Sequence, residues 1–468
     1  MKLRPMLVAF STILLSACGS GAIVEPSVVV TPPPPPLTDL QIASNELETF
    51  ISNPDDYLIP MSNDFDNIPQ DPLNRITASK VKLGKLLFHE TGVTGESVGG
   101  SDNEYSCASC HQHTAGFKSG NAQGIGDGGV AFGVRGEMRM ANTDLEDVTI
   151  IDHQPIASPT VLNVAYQDVM LWNGQFGNSE GSINTDVDTD RLMTMGTPKT
   201  ANLLGLSGVE TQAVAGIGVH RLMMGEGSIV TTNPEYVELV EEVREENEDV
   251  QEVSLGTLAA LSIAAFERTI LANESPFQQW LRGDKEAMTE DQVKGATVFF
   301  GKGQCSACHS GPALSSPVGA SSDEMFMSIG FADLDAYNEV HSVIPEDQGE
   351  RLGRGGLTGN PADNYKFKIP TLYNLAQSEF LGHGNSFRSV REVVEYKNNG
   401  IPENPMAENI DPRFKPLYLS QEEVDYLVAF IEGGLKDDNL QRYVPEQLPS
   451  GQCVINNDYQ SRLDLGCE

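Results

Sequence analysis

Apolar residues recur every three to four positions along much of the chain, which is the spacing of the buried face of an α-helix. Helices are predicted over 45–53, 79–89, 234–247, 254–272, 289–300, 388–398 and 420–432. Strict alternation of apolar and polar residues, which is typical of a half-buried strand, is scarce. Residues 255–271 are apolar on nearly all sides, so this helix is predicted to be buried. The pattern therefore predicts an all-α protein.

Local signals support the starts of two of these helices. Ser420 followed by Glu423 has the form of a capping box, and Thr289 is a suitable N-cap for the helix that follows it. Three long glycine-rich stretches separate the helices and are predicted to be loops. They are residues 92–101, 119–136 and 173–208.

Two copies of the pattern Cys-x-x-Cys-His carry the most specific chemistry in the chain. The N-terminal copy is Cys107, Cys110 and His111, and the C-terminal copy is Cys305, Cys308 and His309. In this pattern the thiols form thioethers with the vinyl groups of a haem, and the histidine becomes an iron ligand. A redox dithiol does not need the adjacent histidine, and paired zinc motifs usually lie closer together. The chain is therefore predicted to carry two covalent haem c groups.

The N-terminus has the form of a bacterial lipoprotein signal. Lys2 and Arg4 precede an apolar run at 6–17 that is too short to span a bilayer as a helix. Small residues lie directly before Cys18. Residues 1–17 are therefore predicted to be a signal peptide, and the Cys18 thiol is predicted to receive a lipid. Ordinary signal cleavage, with Cys18 incidental, is the alternative. The segment 18–44, which contains five consecutive prolines, is predicted to be an extended tether.

The charge of the chain limits its partners. The sequence has 30 Lys and Arg against 66 Asp and Glu, which gives a formal net charge of −36. This charge argues against nucleic acid and anionic lipid as partners. It suits the attraction of a small basic electron carrier, although a merely solvated acidic surface explains it equally well.

Two of the seven cysteines remain after lipid and haem attachment. They are Cys453 and Cys467, in a tail that contains Pro and Gly. In an oxidising periplasm they are predicted to form a disulfide, and two free thiols are the alternative.

The two haem motifs lie too far apart for one small cytochrome fold, so each is predicted to mark its own domain. The N-terminal domain is placed at 45–272, the C-terminal domain at 273–450, and a cysteine-containing tail at 451–468. The pattern thus predicts two all-α domains with long glycine-rich loops, each with one covalent c-type haem.

The order of short motifs resembles that of the bacterial di-haem cytochrome c peroxidases and their MauG-type relatives. The motifs are 83–88 (LGKLLF), 106–111 (SCASCH), 158–166 (SPTVLNVAY), 172–174 (WNG), 210–213 (ETQA), 265–268 (AFER), 275–277 (SPF), 281–284 (LRGD), 308–312 (CHSGP), 368–372 (KIPTL), His383 and 390–394 (VREVV). The resemblance implies a fold of two all-α cytochrome c-like domains. It further implies that the N-terminal haem meets hydrogen peroxide and that the C-terminal haem supplies electrons. It also implies that Trp172 carries electrons between them, with core packing as the alternative.

The chain departs from the family on the peroxide side of the N-terminal haem. Gln212 is kept, but the glutamate expected ten residues later is Leu222, and the proline expected four residues after the glutamine is Gly216. His220 is predicted to act as the peroxide acid and base instead, with Arg221 to stabilise charge on the departing oxygen. A histidine with no chemical role is the alternative.

Some family members hold the N-terminal iron at rest with a second histidine, and that position is Asp127 here. His153, in a longer loop, is one candidate for this role, and an iron that is open at rest is the other.

The second ligand of the C-terminal haem falls at Lys397, where the peroxidases have Met and the MauG-type branch has Tyr. Tyr396 is adjacent and is the other main candidate. A neutral lysine amine or a tyrosinate would lower the haem potential relative to Met. Met406, or no side chain at all, is the remaining alternative.

The resemblance also implies a calcium ion between the haems. Its side-chain ligand in the family, an Asn, aligns with Ala157, and the expected carbonyl donors fall at Ser378 and Phe380. A calcium site in this chain would therefore lack one side-chain ligand.

These features predict an oxidoreductase that reduces hydrogen peroxide with electrons from a small soluble cytochrome c or cupredoxin. MauG-type oxidation of a side chain on a partner protein is the alternative, and electron transfer without catalysis is a second one. Lipidation would place the protein on the periplasmic side of the envelope, and Gly19 after Cys18 favours the outer membrane by analogy. The membrane is predicted to be contacted through the anchor only, and family members often form homodimers.

Overall fold

The computed structural model describes residues 36–95, 97–98, 103–177, 206–317, 319–333 and 351–467. The predicted signal peptide 1–17, Cys18 and most of the stretch 173–208 lie outside these residues. By its contacts the chain from Asp39 to Glu468 forms one compact unit, and the domain boundary near 272 stays a prediction. Among the helices of the described residues, none is long and apolar enough to cross a bilayer.

Helices dominate the regular structure of the described residues, as predicted. The α-helices, numbered α1 to α14, are Asp39–Phe50, Ala78–His89, Cys107–Cys110, Gly208–Val219, Ile229–Thr232, Pro234–Glu246, Leu255–Arg268, Pro276–Leu281, Glu290–Phe300, Ser322–Met325, Arg354–Thr358, Val390–Asn399, Gln421–Ala429 and Tyr459–Leu465. The 3-10 helices are Pro54–Tyr57, Phe65–Asn67, Thr91–Val93, His113–Ala115, Val148–Ile150, Val164–Tyr166, Glu248–Val250, Cys305–Ala307, Pro361–Asp363, Leu375–Gln377 and Leu440–Tyr443, and a π-helix, Phe430–Gly434, follows α13. The strands, β1 to β4, are Gly129–Val130, Met140–Ala141, Phe326–Met327 and Phe367–Lys368. They form two antiparallel pairs, β1 with β2 and β3 with β4.

Helices α2 and α7 cross at a point where only glycine fits. A Cβ atom on Gly84 would lie 1.9 Å from the carbonyl oxygen of Ser262. Phe88, one turn after Gly84, is buried and packs against Phe266 with 5.5 Å between ring centroids. Residues 258–268 of α7 are all buried, which confirms the prediction made from their apolar pattern.

Helices α9 and α13 repeat this arrangement. A Cβ atom on Gly295 would lie 1.9 Å from the carbonyl oxygen of Tyr426. Phe299, one turn after Gly295, is buried and packs against Phe430 at 5.6 Å between centroids. In each case the glycine-bearing helix precedes a Cys-x-x-Cys-His motif along the chain. This repetition is what two related cytochrome-like halves would produce.

Replacing Gly84 by alanine should lower the free energy of unfolding by about 1–3 kcal/mol, because the added methyl group forces two helix backbones apart. The matched control is Gly256→Ala in α7, where an added Cβ has no atom within 4 Å. That change should stabilise the protein by about 0.5–1 kcal/mol, because alanine loses less backbone entropy in a helix. Denaturant unfolding of both variants checks the prediction, and equal effects would contradict it.

The body of the protein begins earlier than predicted. Helix α1 starts at Asp39, inside the segment 18–44 that was expected to be a tether. The reason is burial: Ala43 and Leu47, one turn apart, are both buried, and Trp280 donates a hydrogen bond to the Ser44 hydroxyl at 3.3 Å.

The C-terminal tail packs against the N-terminal haem motif. The structure joins Cys453 and Cys467 in a disulfide with 5.5 Å between their Cα atoms. Within the loop that the disulfide closes, the carbonyl oxygen of Ile455 accepts hydrogen bonds from the hydroxyls of Ser106 at 2.8 Å and Ser109 at 2.5 Å. The tail therefore helps to position the short helix α3, although it is far away in sequence.

Candidate active site

The N-terminal motif presents a neutral histidine with one free ring nitrogen. Helix α3 starts with a capping box between Ser106 and Ser109, and His111 follows as its C-terminal cap. Burial lowers the pKa of His111 to about 4, although hydrogen bonds to the carbonyls of Phe117 and Pro159 act in the opposite direction. The His111 Nδ1 atom lies 3.3 Å from the Phe117 oxygen. Nε2 is left available, which is the arrangement that an iron ligand needs.

The C-terminal motif has the same arrangement beside a large cavity. The Nδ1 atom of His309 lies 3.0 Å from the oxygen of Leu314 and 3.1 Å from that of Pro370. Burial lowers the pKa of His309 to about 4, so its ring is neutral at physiological pH. Together with Cys305 and Cys308, His309 lines a cavity of about 400 Å³.

The four motif cysteines suit thioether attachment. None of them is in a disulfide in the structure, in contrast to the pair in the tail. Burial raises the pKa of all four thiols, so they are protonated at neutral pH. Reactive redox dithiols have lowered pKa values instead. The cysteines and free histidine nitrogens of both motifs therefore fit covalent haem c, and the cavity adds room for it at the C-terminal motif.

Helix α4 carries a stripe of residues on one face. Gln212, Gly216 and His220 follow each other at intervals of four, with His220 as the C-terminal cap. A Cβ atom on Gly216 would lie 3.7 Å from Nε2 of Gln212 and 3.8 Å from Cδ2 of His220, so the two side chains flank this glycine. The helix is anchored to α7 by a buried ion pair, in which Arg268 donates to both oxygens of Glu210 at 2.7 and 2.6 Å.

His220 forms a pair with Asp152 close to the N-terminal haem motif. Its Nδ1 lies 2.8 Å from Oδ2 of Asp152. Burial alone lowers the pKa of His220, but the charge and hydrogen bond of Asp152 outweigh it, and the pKa lies above its ordinary value. His220 is also close enough to His111 for its charge to lower the pKa of that ring. The pair can hold and transfer a proton through Nε2, with Asp152 fixing the ring.

Trp172 lies beside the C-terminal cavity and is hydrogen-bonded to a segment of the chain that also contacts the N-terminal site. It lines the cavity, and its Nε1 donates to the carbonyl of Ala157 at 2.8 Å. Pro159, two residues later, supplies a carbonyl to His111 and also lines the cavity. The segment 157–160 therefore touches both haem sites.

Lys397 extends into the C-terminal cavity and Tyr396 does not. Lys397 lines the cavity, and its Nζ lies 5.6 and 5.3 Å from the ring centroids of Phe331 and Phe414. Burial lowers its pKa to about 8. Tyr396 donates its hydroxyl to the carbonyl of Ile329 and packs among aromatic rings. Met406 is 65% exposed. Of the three candidates for the second ligand, only Lys397 lines the cavity that His309 also lines.

Comparison with known proteins shows what the chain is similar to. Residues 78–286 match the di-haem cytochrome c peroxidase family. The chain is similar to curated cytochrome-c peroxidases and to MauG. This confirms the resemblance found in the short motifs.

Individual relatives agree with this family. The cytochrome-c peroxidase IdrP1 of Denitromonas iodatirespirans is 27% identical over 78% of this chain and 83% of its own length. The methylamine utilization protein MauG of Methylorubrum extorquens is 25% identical over 78% of this chain and 81% of its own length. A crystal structure of a MauG-like protein associated with microbial copper homeostasis aligns with a TM-score of 0.52 and 20% identity. It covers 82% of this chain and 95% of that protein, and it supports the fold.

Other departures from the family have clear structural positions. Leu222, at the position of the family's distal glutamate, is buried and forms a backbone bridge with Thr94. Arg221 donates to the buried Asp127 at 2.6 Å, so the carboxylate at the position of the family's second histidine is held in an ion pair. The Nδ1 atom of His153 lies 3.0 Å from the carbonyl oxygen of Ile151.

The donors expected for calcium do not fit that ion. Ala157 offers no side-chain oxygen, and the Nζ atom of Lys118 lies 2.6 Å from the carbonyl oxygen of Phe380 and 3.3 Å from the hydroxyl of Ser378. No chemical step in this protein is assigned to calcium.

The sequence did not indicate Asp152 or Lys118 as members of the site. Asp152 precedes His153 in a loop, and its partner His220 is 68 residues away. Lys118 is 260 and 262 residues away from its partners Ser378 and Phe380. A local motif cannot reveal such long-range pairs.

Proposed function

We propose that this protein is a di-haem c-type peroxidase that reduces hydrogen peroxide at the N-terminal haem site with electrons passed from the C-terminal haem site. The observation that supports this most directly is the pair of His220 and Asp152 close to His111. The distal glutamate of the family is absent, and His220 is the proton-transferring group that the structure offers in its place.

The chemistry needs proton transfer as well as electrons. Hydrogen peroxide takes up two electrons and two protons and leaves as two molecules of water. When bound, the haem supplies the iron at which this reduction takes place. His220 accepts a proton from one peroxide oxygen and delivers it to the other, which makes the departing oxygen a better leaving group. Gln212, on the same face of α4, is placed to donate a hydrogen bond to peroxide.

Trp172 is proposed to carry electrons between the two sites. Its ring lines the C-terminal cavity, and its Nε1 is bonded to the segment that also contacts His111. Lys397 and His309 face the same cavity and are proposed to be the two ligands of the C-terminal haem. This haem would then be fully ligated, which suits electron transfer rather than peroxide binding.

The cellular setting is proposed from the sequence. The lipidated Cys18 would anchor the protein on the periplasmic side of the envelope, most simply in the outer membrane. The net charge of −36 favours a basic cytochrome c or cupredoxin as the electron donor. A homodimer is proposed by analogy with the family.

A second function is favoured by Lys397. MauG-type proteins oxidise a side chain of a partner protein and lack the Met ligand of the peroxidases, as this chain does. A lysine amine would lower the potential of the C-terminal haem and stabilise its oxidised form. Oxidation of a partner protein with peroxide is therefore the alternative activity.

Mixing the oxidised holoprotein with one equivalent of hydrogen peroxide separates these functions. For a peroxidase, we expect little lasting spectral change until a reduced carrier protein is added, and then rapid peroxide consumption coupled to oxidation of the carrier. For a MauG-type enzyme, we expect a long-lived spectral change without any carrier. No reaction with peroxide in any oxidation state would contradict both and leave electron transfer alone.

A further inference from the structure

Lys118 is a buried cation that is surrounded by neutral oxygen atoms. Its side chain is 9% exposed, and its Nζ donates to the carbonyl of Phe380 at 2.6 Å and to the hydroxyl of Ser378 at 3.3 Å. Burial lowers its pKa to about 8, so the amine is still mostly charged at pH 7. Among the described residues, no carboxylate forms an ion pair with it. A buried charge of this kind needs a structural reason, because its desolvation is costly.

Lys118 contacts both residues whose carbonyl groups are expected to bind calcium, through the carbonyl oxygen of Phe380 and the side-chain hydroxyl of Ser378. Calcium binds six to eight oxygen atoms at about 2.3–2.6 Å. The ammonium nitrogen lies 2.6 Å from the Phe380 oxygen, which is within this range, so a calcium ion on the same oxygen would repel it strongly. Ala157 adds no ligand. The described residues also contain no group of three His, Cys, Asp or Glu side chains that could hold a metal ion.

Lys118 also lies between the two haem sites. Its neighbour Phe117 provides the carbonyl that orients His111. Lys118 itself lines the cavity of the C-terminal site, together with His309 and Trp172. Its hydrogen bonds join two segments of the chain that are about 260 residues apart. Lys118 thus provides a positive charge and a cross-link at the same point.

We propose that the ammonium group of Lys118 takes the place of a divalent cation between the haem sites, so that this protein binds no calcium there and does not depend on it. Metal content, stability and electron transfer between the sites can be measured independently of the proposed reaction with peroxide.

The first test uses the unmodified holoprotein. After dialysis against EGTA, and again after addition of calcium chloride and removal of the excess, we expect metal analysis to find no stoichiometric calcium. The thermal unfolding midpoint and the rate of electron transfer between the haems should be the same in EGTA and in calcium. One bound calcium per chain, or a midpoint that falls in EGTA and recovers with calcium, would overturn the proposal.

Variants test the role of the charge itself. Lys118→Met keeps an unbranched side chain one atom shorter and removes the charge, so we expect the unfolding midpoint to fall by about 2–5 °C and not to recover with calcium. The control is Lys82→Met, which removes a lysine that is paired with Glu242 at the surface and should change little. A Lys118→Met protein with the midpoint and inter-haem electron-transfer rate of the unmodified protein would refute the proposal.

A double variant tests whether calcium can bind once the ammonium group is removed. Lys118→Ala removes the ammonium group, and Ala157→Asn restores the side-chain oxygen that the family uses. If Lys118 replaces calcium, this double variant should gain a midpoint that rises with calcium concentration, because a ligand that binds only the folded state stabilises it.

Discussion

Replacing His220 by alanine should slow the reaction with hydrogen peroxide by about 10²–10⁴-fold, which is the usual contribution of a positioned acid–base group. The expected loss is large because the position of the family's glutamate is occupied by the buried Leu222, which cannot transfer a proton. The rate constant should be measured by stopped-flow mixing of peroxide with holoprotein of confirmed haem content. The spectrum of the C-terminal haem should not change, because His220 lies in the other half of the chain.

Two further variants make this prediction specific. Glu226→Gln alters an exposed acid on the segment after Leu222 and should leave the rate within about twofold of the unmodified protein. Asp152→Asn should shift the pH dependence of the rate of reaction with peroxide. Because Asp152 raises the pKa of His220, its loss lets the ring become neutral, and able to accept a proton, at a lower pH. The rising limb of the profile should therefore move to lower pH. A His220→Ala protein with an unchanged rate would exclude His220 as the acid and base.

The helices and the haem motifs could be predicted from the sequence because their causes are local. The capping box of Ser420 with Glu423 is present as predicted, and Thr289 is the N-cap of its helix as predicted. The apolar pattern of α7 likewise indicates burial from a few neighbouring residues. Short-range periodicity and side-chain-to-backbone capping need no knowledge of the rest of the chain.

Helix α4, which carries Gln212 and His220, could not be predicted in this way. It contains Gly216 and Gly218, which disfavour helix, and it lacks a distinct polar face. Tertiary contacts compensate, above all the buried ion pair of Glu210 with Arg268. The residues of the site are therefore predictable only through the resemblance to a family. The pairing of His220 with Asp152 depends on the fold and has no local signal in the sequence.

Replacing Lys397 by methionine should raise the reduction potential of the C-terminal haem, within the roughly 0.8 V range that axial ligands span. The thioether of methionine stabilises reduced iron, whereas a neutral amine stabilises the oxidised form. Lys397→Ala should instead leave a ligand position open and change the low-spin spectrum of this haem. Spectroelectrochemical titration of both variants measures the potential and the spectrum together. With methionine in place, we also expect any long-lived response to peroxide to be shortened, because an oxidised C-terminal haem is then less stable.

The control for this prediction is Tyr396→Phe. It removes a hydroxyl that donates to the carbonyl of Ile329 and keeps the ring that packs against Phe387. Tyr396 is not part of the cavity lining. We expect the spectrum and the potential to stay those of the unmodified protein. A changed low-spin spectrum in Tyr396→Phe, together with an unchanged one in Lys397→Ala, would assign the ligand to the tyrosine.

Acidification provides an independent check, because lysine binds iron only after losing its proton. Low pH should therefore displace Lys397 and convert the spectrum of the unmodified protein towards that of Lys397→Ala.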